Sequence, residues 1–193
     1  MRVFIIFFII FNLQSLTKAD DIRDFQIEGI SVGDNLLDYF NVNILKDKTK
    51  IWNYPKSSKF TLFYNKSSPE YNYVNYSAIQ IHYKTKSPQK YKIYSIQGQI
   101  HYFDDIENCY PKKREIYKNI KNLFPNSKPI DEKVKHDLDN KSLVDRSIFR
   151  LNNGTVIIAC TDWKGKYHKT FGDKLALSIN SYEFNDWLNT EAY

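Results

Sequence analysis

The first hydrophobic feature of the chain is an unbroken apolar run of nine residues from Val3 to Phe11. Arg2 precedes the run, and a polar stretch ending in Ala19 follows it. A basic start, a short apolar core and a small residue at the cut are typical of a secretory signal peptide. At about 1.5 Å per residue the run is too short to cross a hydrocarbon layer of roughly 30 Å. We predict a signal peptide at 1–19 and one mature domain at 20–193, which is exported and is periplasmic or secreted.

A Gly-rich stretch follows, and its spacing predicts a first helix. Residues 28–34 contain two glycines, and apolar residues then occur at positions 36, 37 and 40. These three positions share one helical face. Ser31 or Asp34 is placed to cap the first turn, where backbone N–H groups lack partners.

Alternating apolar and polar positions predict strands in the middle of the chain. We expect a strand over 60–64 and a second over 79–84, where Ile79, Ile81 and Tyr83 face away from Gln80 and His82. After a turn, a long strand follows, and the two should pair as an antiparallel hairpin. The residues expected to share one face of the long strand are Tyr94, Ile96, Gly98, Ile100 and Tyr102.

The second half predicts another helix and another hairpin. Residues 112–124 have helical spacing, with Pro111 in the first turn and Pro125 after the end. The charged stretch 127–146 is typical of an exposed loop. Residues 147–151, a turn ending at Gly154 and residues 156–160 form the hairpin, and another strand over 175–179 leads to a short helix beginning at Ser181.

This order of elements predicts the α+β class, with an antiparallel sheet and helices packed on one face. Similar glycine-containing segments at 27–29 and 96–98 are compatible with a degenerate duplication. The chain carries a formal net charge of +6, and Arg2 and Lys18 of the predicted signal peptide contribute to it. Because the remaining charges are interspersed, we expect no nucleic-acid partner. No later apolar stretch approaches the length of a spanning helix, so we expect no membrane span in the mature chain.

The two cysteines, Cys109 and Cys160, are the strongest chemical signal. An even number in an exported chain favours a disulfide, here between the second helix and a strand. The alternative is a thiolate nucleophile at Cys109, made acidic by the start of the helix and by nearby lysines.

Other candidate chemistry is sparse. The histidines at 82, 101, 136 and 168 lack metal-site spacing and fit surface or strand-edge positions, and we predict neither a metal nor a cofactor. Paired carboxylates fit loop and capping roles. A hydrolase site would have to be assembled from distant residues, with Asp162, His168 and Asp173 as the catalytic candidates.

Four stretches carry a resemblance to known proteins: 25–40, the helix around Cys109, the sequence Ala-Cys-Thr-Asp-Trp at 159–163, and 183–188. Together they resemble a family of uncharacterised exported proteins from Pelagibacter-type marine alphaproteobacteria. The entry at 29–40 is also loosely similar to repeats of small periplasmic proteins grouped with the β-lactamase-inhibitor protein and the BamE-type assembly lipoproteins. The second resemblance implies a helix-on-sheet fold that binds other proteins, although this chain lacks the lipidated cysteine.

Two functions follow as hypotheses. The first is a non-enzymatic periplasmic or secreted domain that binds another envelope protein, and the second is the hydrolase. Nine of the fifteen tyrosines lie between 51 and 103, where they suit sheet packing or a binding surface. Buried polar groups converging in a pocket would favour the hydrolase, whereas a shallow aromatic face would favour binding.

Overall fold

The computed structural model describes residues 21–193, so the signal peptide predicted at 1–19 lies outside the described residues. Within this part of the chain, eight strands form one antiparallel sheet in the order β1-β2-β3-β4-β8-β7-β6-β5. The strands are β1 (Ile51–Asn53), β2 (Phe60–Lys66), β3 (Ala78–Lys84), β4 (Ile93–Phe103), β5 (Ile130–Lys135), β6 (Leu143–Leu151), β7 (Gly154–Asp162) and β8 (Asp173–Ser181).

The chain builds this sheet as two four-stranded meanders, β1 to β4 and β5 to β8, which join where β4 pairs with β8. Among the described residues three α-helices accompany them: α1 (Cys109–Leu123), α2 (Gly165–Phe171) and α3 (Tyr182–Thr190). Short 3-10 turns occur at Ile22–Asp24, Leu36–Asp38, Ile44–Lys46 and Ile106–Asn108. The α+β class predicted from the sequence is therefore confirmed.

One face of the sheet, which we call the core face, carries most of the buried apolar side chains. It presents Phe63, Ile81, Ile96, Ile158 and Ile179, all fully buried. Helix α1 and the segment from Ile22 to Phe40 cover this face. Burying such residues supplies the main favourable free energy of folding, at about 25 cal/mol per Å² of apolar surface.

The opposite face of the sheet, which we call the second face, is covered only at one end by α3. Phe184 and Trp187 of α3 pack there against Phe60 and Tyr94 in a small separate cluster. Ser181 caps the helix, as its hydroxyl accepts a hydrogen bond from the Phe184 N–H at 3.2 Å. The prediction that all helices pack on one face is therefore wrong, because α1 and α3 lie on opposite faces.

Three other predictions need correction. The expected helix after Asp34 is only the 3-10 turn Leu36–Asp38, capped by Asn35 instead of Ser31 or Asp34. The expected loop 127–146 contains β5 and the first part of β6. A bulge between β3 and β4 turns Ile93 to the core face and Tyr94 to the second face, so Tyr94 does not share a face with Ile96.

The predicted hairpins over β3–β4 and β6–β7 are confirmed, and so are the second helix and the terminal helix. Helix α1 begins at Cys109, three residues before the expected start, which leaves Pro111 in its first turn. The short segment 96–98, which suggested a duplication, lies inside β4, whereas 27–29 lies outside the strands, so a duplication is not shown.

Candidate functional site

The middle of the second face is a cleft that α3 does not cover. Its floor is small and polar: Ala159 of β7 lies beside Ala176 and Ser178 of β8, and Gln97 and Gln99 of β4 follow. Two half-open cavities of about 430 and 630 Å³ occupy the cleft. Residues from all eight strands line them.

The smaller cavity lies over β5 to β8 and the larger one over β1 to β4. Lys174 lines both cavities and marks their boundary. At about 4.8 Å between neighbouring strands, eight strands extend across roughly 30 Å. A surface of that width suits an extended segment better than a compact small molecule.

Hydrogen bonds between side chains fix the floor. The Gln99 amide nitrogen donates to the Gln97 side-chain oxygen at 2.6 Å, and the Gln97 amide nitrogen donates to the Ser178 hydroxyl at 2.8 Å. This chain of bonds crosses from the larger cavity into the smaller one. Buried polar groups that hold one another in this way keep the floor rigid.

Aromatic side chains form the walls of the larger cavity. Trp52 is 63% exposed and Tyr193 is 66% exposed, and Tyr54, Tyr64 and Phe171 line the same space. Aromatic residues with a polar tip are enriched at protein interfaces because they combine apolar area with hydrogen bonding. The tyrosines in the middle of the chain therefore contribute both to the core, where Tyr83 is buried, and to the wall of this cavity.

Lys174 is the most unusual charged group in the cleft. Burial lowers the pKa of its ammonium to about 8. The ammonium forms neither an ion pair nor a hydrogen bond within residues 21–193, and its nitrogen lies 5.7 Å from the centre of the Phe171 ring. The lysine pairs across the sheet with His101 of β4, and its charge lowers the pKa of His101 and of His136, after burial as the main cause.

The three hydrolase candidates lie at the opposite end of β8 from α3, and the structure brings two of them close together. His168 Nε2 lies 3.9 Å from the carboxylate of Asp173 and 3.2 Å from that of Asp104. The same nitrogen lies 3.2 Å from the Phe103 carbonyl. Within the described residues no hydroxyl or thiol lies at hydrogen-bonding distance from His168.

Asp162 and Asp173 have structural contacts. The Asp173 carboxylate is buried and accepts the Trp163 N–H at 2.9 Å, which fixes the turn between β7 and α2. Burial raises the pKa of Asp173. Asp162 pairs with Lys164 at 2.7 Å. These contacts agree with the loop and capping roles expected for the carboxylates.

The cysteines form the predicted disulfide. Cys109 at the start of α1 is bonded to Cys160 of β7, and their Cα atoms lie 6.0 Å apart. This bond excludes the alternative of a free thiolate at Cys109. It lies on the core face, away from the cleft.

The four histidines are not all at surface or strand-edge positions. His82 is buried on the second face under α3, where its ring lies 4.4 Å from that of Phe184. Burial lowers the pKa of His82 to about 3, so the imidazole is neutral. On α1, Lys113 is buried and pairs with Asp145 of β6.

The cleft residues Gln97, Gln99 and Lys174 were not among the candidates predicted from the sequence. One signal was present. Polar residues alternate with apolar ones along β4 and β8, and in central strands of a sheet such residues must be buried or covered.

No helix among residues 21–193 is long and apolar enough to cross a membrane. A scan against family models and searches of curated proteins and solved structures found no match for this chain.

Proposed function

We propose that this chain is a non-enzymatic domain, exported to the periplasm or secreted, that holds a segment of another envelope protein in the cleft of the second face. The observation that carries the proposal is the wide cleft at the centre of the sheet, with a small, hydrogen-bonded floor and aromatic walls. The disulfide supports export, because such bonds persist in oxidising compartments.

The shape of the floor supports binding over catalysis. Ala159, Ala176 and Ser178 leave room above the strands that larger side chains would fill. A fixed floor lowers the entropic cost of receiving a partner, since fewer side chains must be ordered on binding. Exposed aromatic residues such as Trp52 are the usual anchors of protein interfaces.

The test is capture from an envelope fraction of the source cell with two versions of the mature domain. Ala176→Trp places a large ring above the floor and should abolish capture of the partner, which mass spectrometry identifies. Lys118→Ala on the exposed side of α1 is the matched control and should capture as the unchanged domain does. Circular dichroism and thermal unfolding must show that both variants fold. Equal capture by the Ala176→Trp variant would refute the proposal.

One observation favours a hydrolase as the second candidate, namely the 3.9 Å approach of His168 to Asp173. A His–carboxylate pair is one component of general base catalysis. In this protein the carboxylate also accepts a backbone N–H, and the imidazole nitrogen also faces the Phe103 carbonyl. Binding in the cleft therefore remains the function that we prefer.

A further inference from the structure

The position of Lys174 defines a charged centre in the cleft. Its side chain projects from β8 onto the second face between the two cavities. Two other lysines that are at least partly buried have carboxylate partners: Lys113 pairs with Asp145, and Lys84 pairs with Glu183 at 2.9 Å. Lys174 is partly buried, and a partly desolvated ammonium without a carboxylate partner disfavours the folded protein.

The neighbours of Lys174 are also basic or polar. His101 lies directly across the strand pair, and His136 lines the smaller cavity from the loop after β5. The Leu138 N–H donates to His136 Nδ1 at 3.2 Å, so a proton on this ring is carried by Nε2, which is a donor. The surroundings of the ammonium therefore offer donors for an acceptor from outside the chain.

The charges that line the cleft are unbalanced. Asp137 is the carboxylate that lines it, and Glu132, next to the smaller cavity, pairs with Arg146. The described residues that line the larger cavity include no Asp or Glu. The basic residues that line the two cavities are Lys48, Lys50, Lys66, Lys135, Arg146 and Lys174.

We propose that the partner segment in the cleft is acidic and that one of its Asp or Glu carboxylates pairs with the ammonium of Lys174. This inference rests on the proposed function and names the chemistry of the partner. Opposite charge across an interface steers association and fixes the register of the bound segment. An extended segment of about ten residues would cross the roughly 30 Å of the sheet, at about 3.3 Å per residue.

The probe is a fluorescent oligoglutamate peptide long enough to cross the cleft, with oligoglutamine as its neutral counterpart. The mature domain should bind oligoglutamate and not oligoglutamine in a fluorescence anisotropy titration. Lys174→Met, which keeps the length of the side chain, should weaken binding roughly tenfold to a hundredfold, as expected for a charged hydrogen bond. Lys118→Met on the exposed side of α1 is the matched control and should change the affinity little.

Thermal unfolding separates recognition from a structural role. Because Lys174 has no carboxylate partner within the described chain, Lys174→Met should unfold at the same or a higher temperature than the unchanged domain. A lowered unfolding temperature would show that Lys174 has a structural role in the folded domain and would overturn the inference. A Lys174-dependent site that prefers polygalacturonate to oligoglutamate would also overturn it, in favour of an acidic polysaccharide.

The inference and the proposed function can fail separately. If Ala176→Trp abolishes capture of the envelope partner while Lys174→Met leaves capture intact, binding in the cleft is supported and the acidic partner segment is refuted. If oligoglutamate binds equally to the unchanged, Lys174→Met and Ala176→Trp proteins, or does not bind the unchanged domain, the inference is refuted. Loss of oligoglutamate binding in both variants supports it.

Discussion

Cys109 and Cys160 connect the start of α1 to β7: they are 51 positions apart in the sequence, and their Cα atoms lie 6.0 Å apart. Asp145, which pairs with Lys113 of α1, lies opposite Cys160 on the neighbouring strand β6. Helix α1 is therefore held on the core face by a covalent bond and an ion pair only one turn apart.

Removing the disulfide should destabilise the domain. The chain-entropy model gives about 4 kcal/mol for closing a loop of this length. We expect Cys109→Ser and Cys160→Ser each to lower the unfolding free energy by about 2 to 4 kcal/mol in a denaturant titration. The double variant should be no worse than either single one, because the same bond is lost in each case. Two reactive thiols in the unfolded, unreduced protein would contradict the bond.

Much of this architecture could be predicted because the determinants are local. The alternation of Ile79 and Ile81, the turn ending at Gly154 and the capping Ser181 each specify an element within a few residues. The cysteine pair followed from an even count and predicted export. Such signals need no knowledge of the rest of the fold.

The cleft could not be predicted because long-range pairing creates it. Gln99 looks like a solvated strand residue, yet it is 1% exposed because β4 pairs with β8 in the middle of the sheet. Lys174 follows Asp173 in an unremarkable sequence, and only the register with His101 places it in the cleft. The strand β5 was missed since its side chains are mostly charged, as suits a sheet edge.

Gly98 of β4 should not tolerate a larger residue while Tyr76 is present. A Cβ atom at position 98 would lie 2.5 to 2.7 Å from atoms of the Tyr76 ring. We expect Gly98→Ala to lower the unfolding free energy by about 1 to 3 kcal/mol, a typical cost of overpacking. In a Tyr76→Ala background the same substitution should cost little, which a double-mutant cycle measures. Equal costs in both backgrounds would show that the ring does not limit position 98.

Substitutions of Asp173 test whether its carboxylate is structural or catalytic. Burial raises its pKa, so the charged form is less favourable in the folded state than in the unfolded chain. Asp173→Asn keeps an acceptor for the Trp163 N–H and should leave the unfolding free energy at pH 7 unchanged or higher. Asp173→Ala leaves that N–H without its partner and should lower the unfolding free energy by about 1 to 3 kcal/mol.

The same variants test the hydrolase. Hydrolysis of p-nitrophenyl acetate by Asp173→Asn and by His168→Ala should equal that of the unchanged domain, since we assign these residues structural contacts. A loss of ester hydrolysis in both variants, with thermal unfolding unchanged, would contradict that assignment and support catalysis by the pair.

His82 should make the domain sensitive to acid. Tyr54 OH lies 2.8 Å from Nε2, while Nδ1 lies 3.3 Å from the Ser95 hydroxyl, which itself donates to Asn180 at 2.7 Å. Because the Ser95 proton points to Asn180, Nδ1 carries the imidazole proton and Nε2 accepts from Tyr54. A second proton at Nε2 would oppose the Tyr54 hydroxyl in a site shielded from water.

The sign of the pH effect follows from the pKa of His82, which burial lowers from 6.5 to about 3. Between these values the unfolded chain binds a proton that the folded chain does not, so acid favours unfolding. From pH 7 to pH 4.5 this group should remove about 2 to 3 kcal/mol of unfolding free energy. His82→Gln should flatten this part of the pH profile, even if it is less stable at pH 7. Tyr54→Phe keeps the imidazole and should retain the slope, and an unchanged slope in His82→Gln would assign the acid sensitivity to other groups.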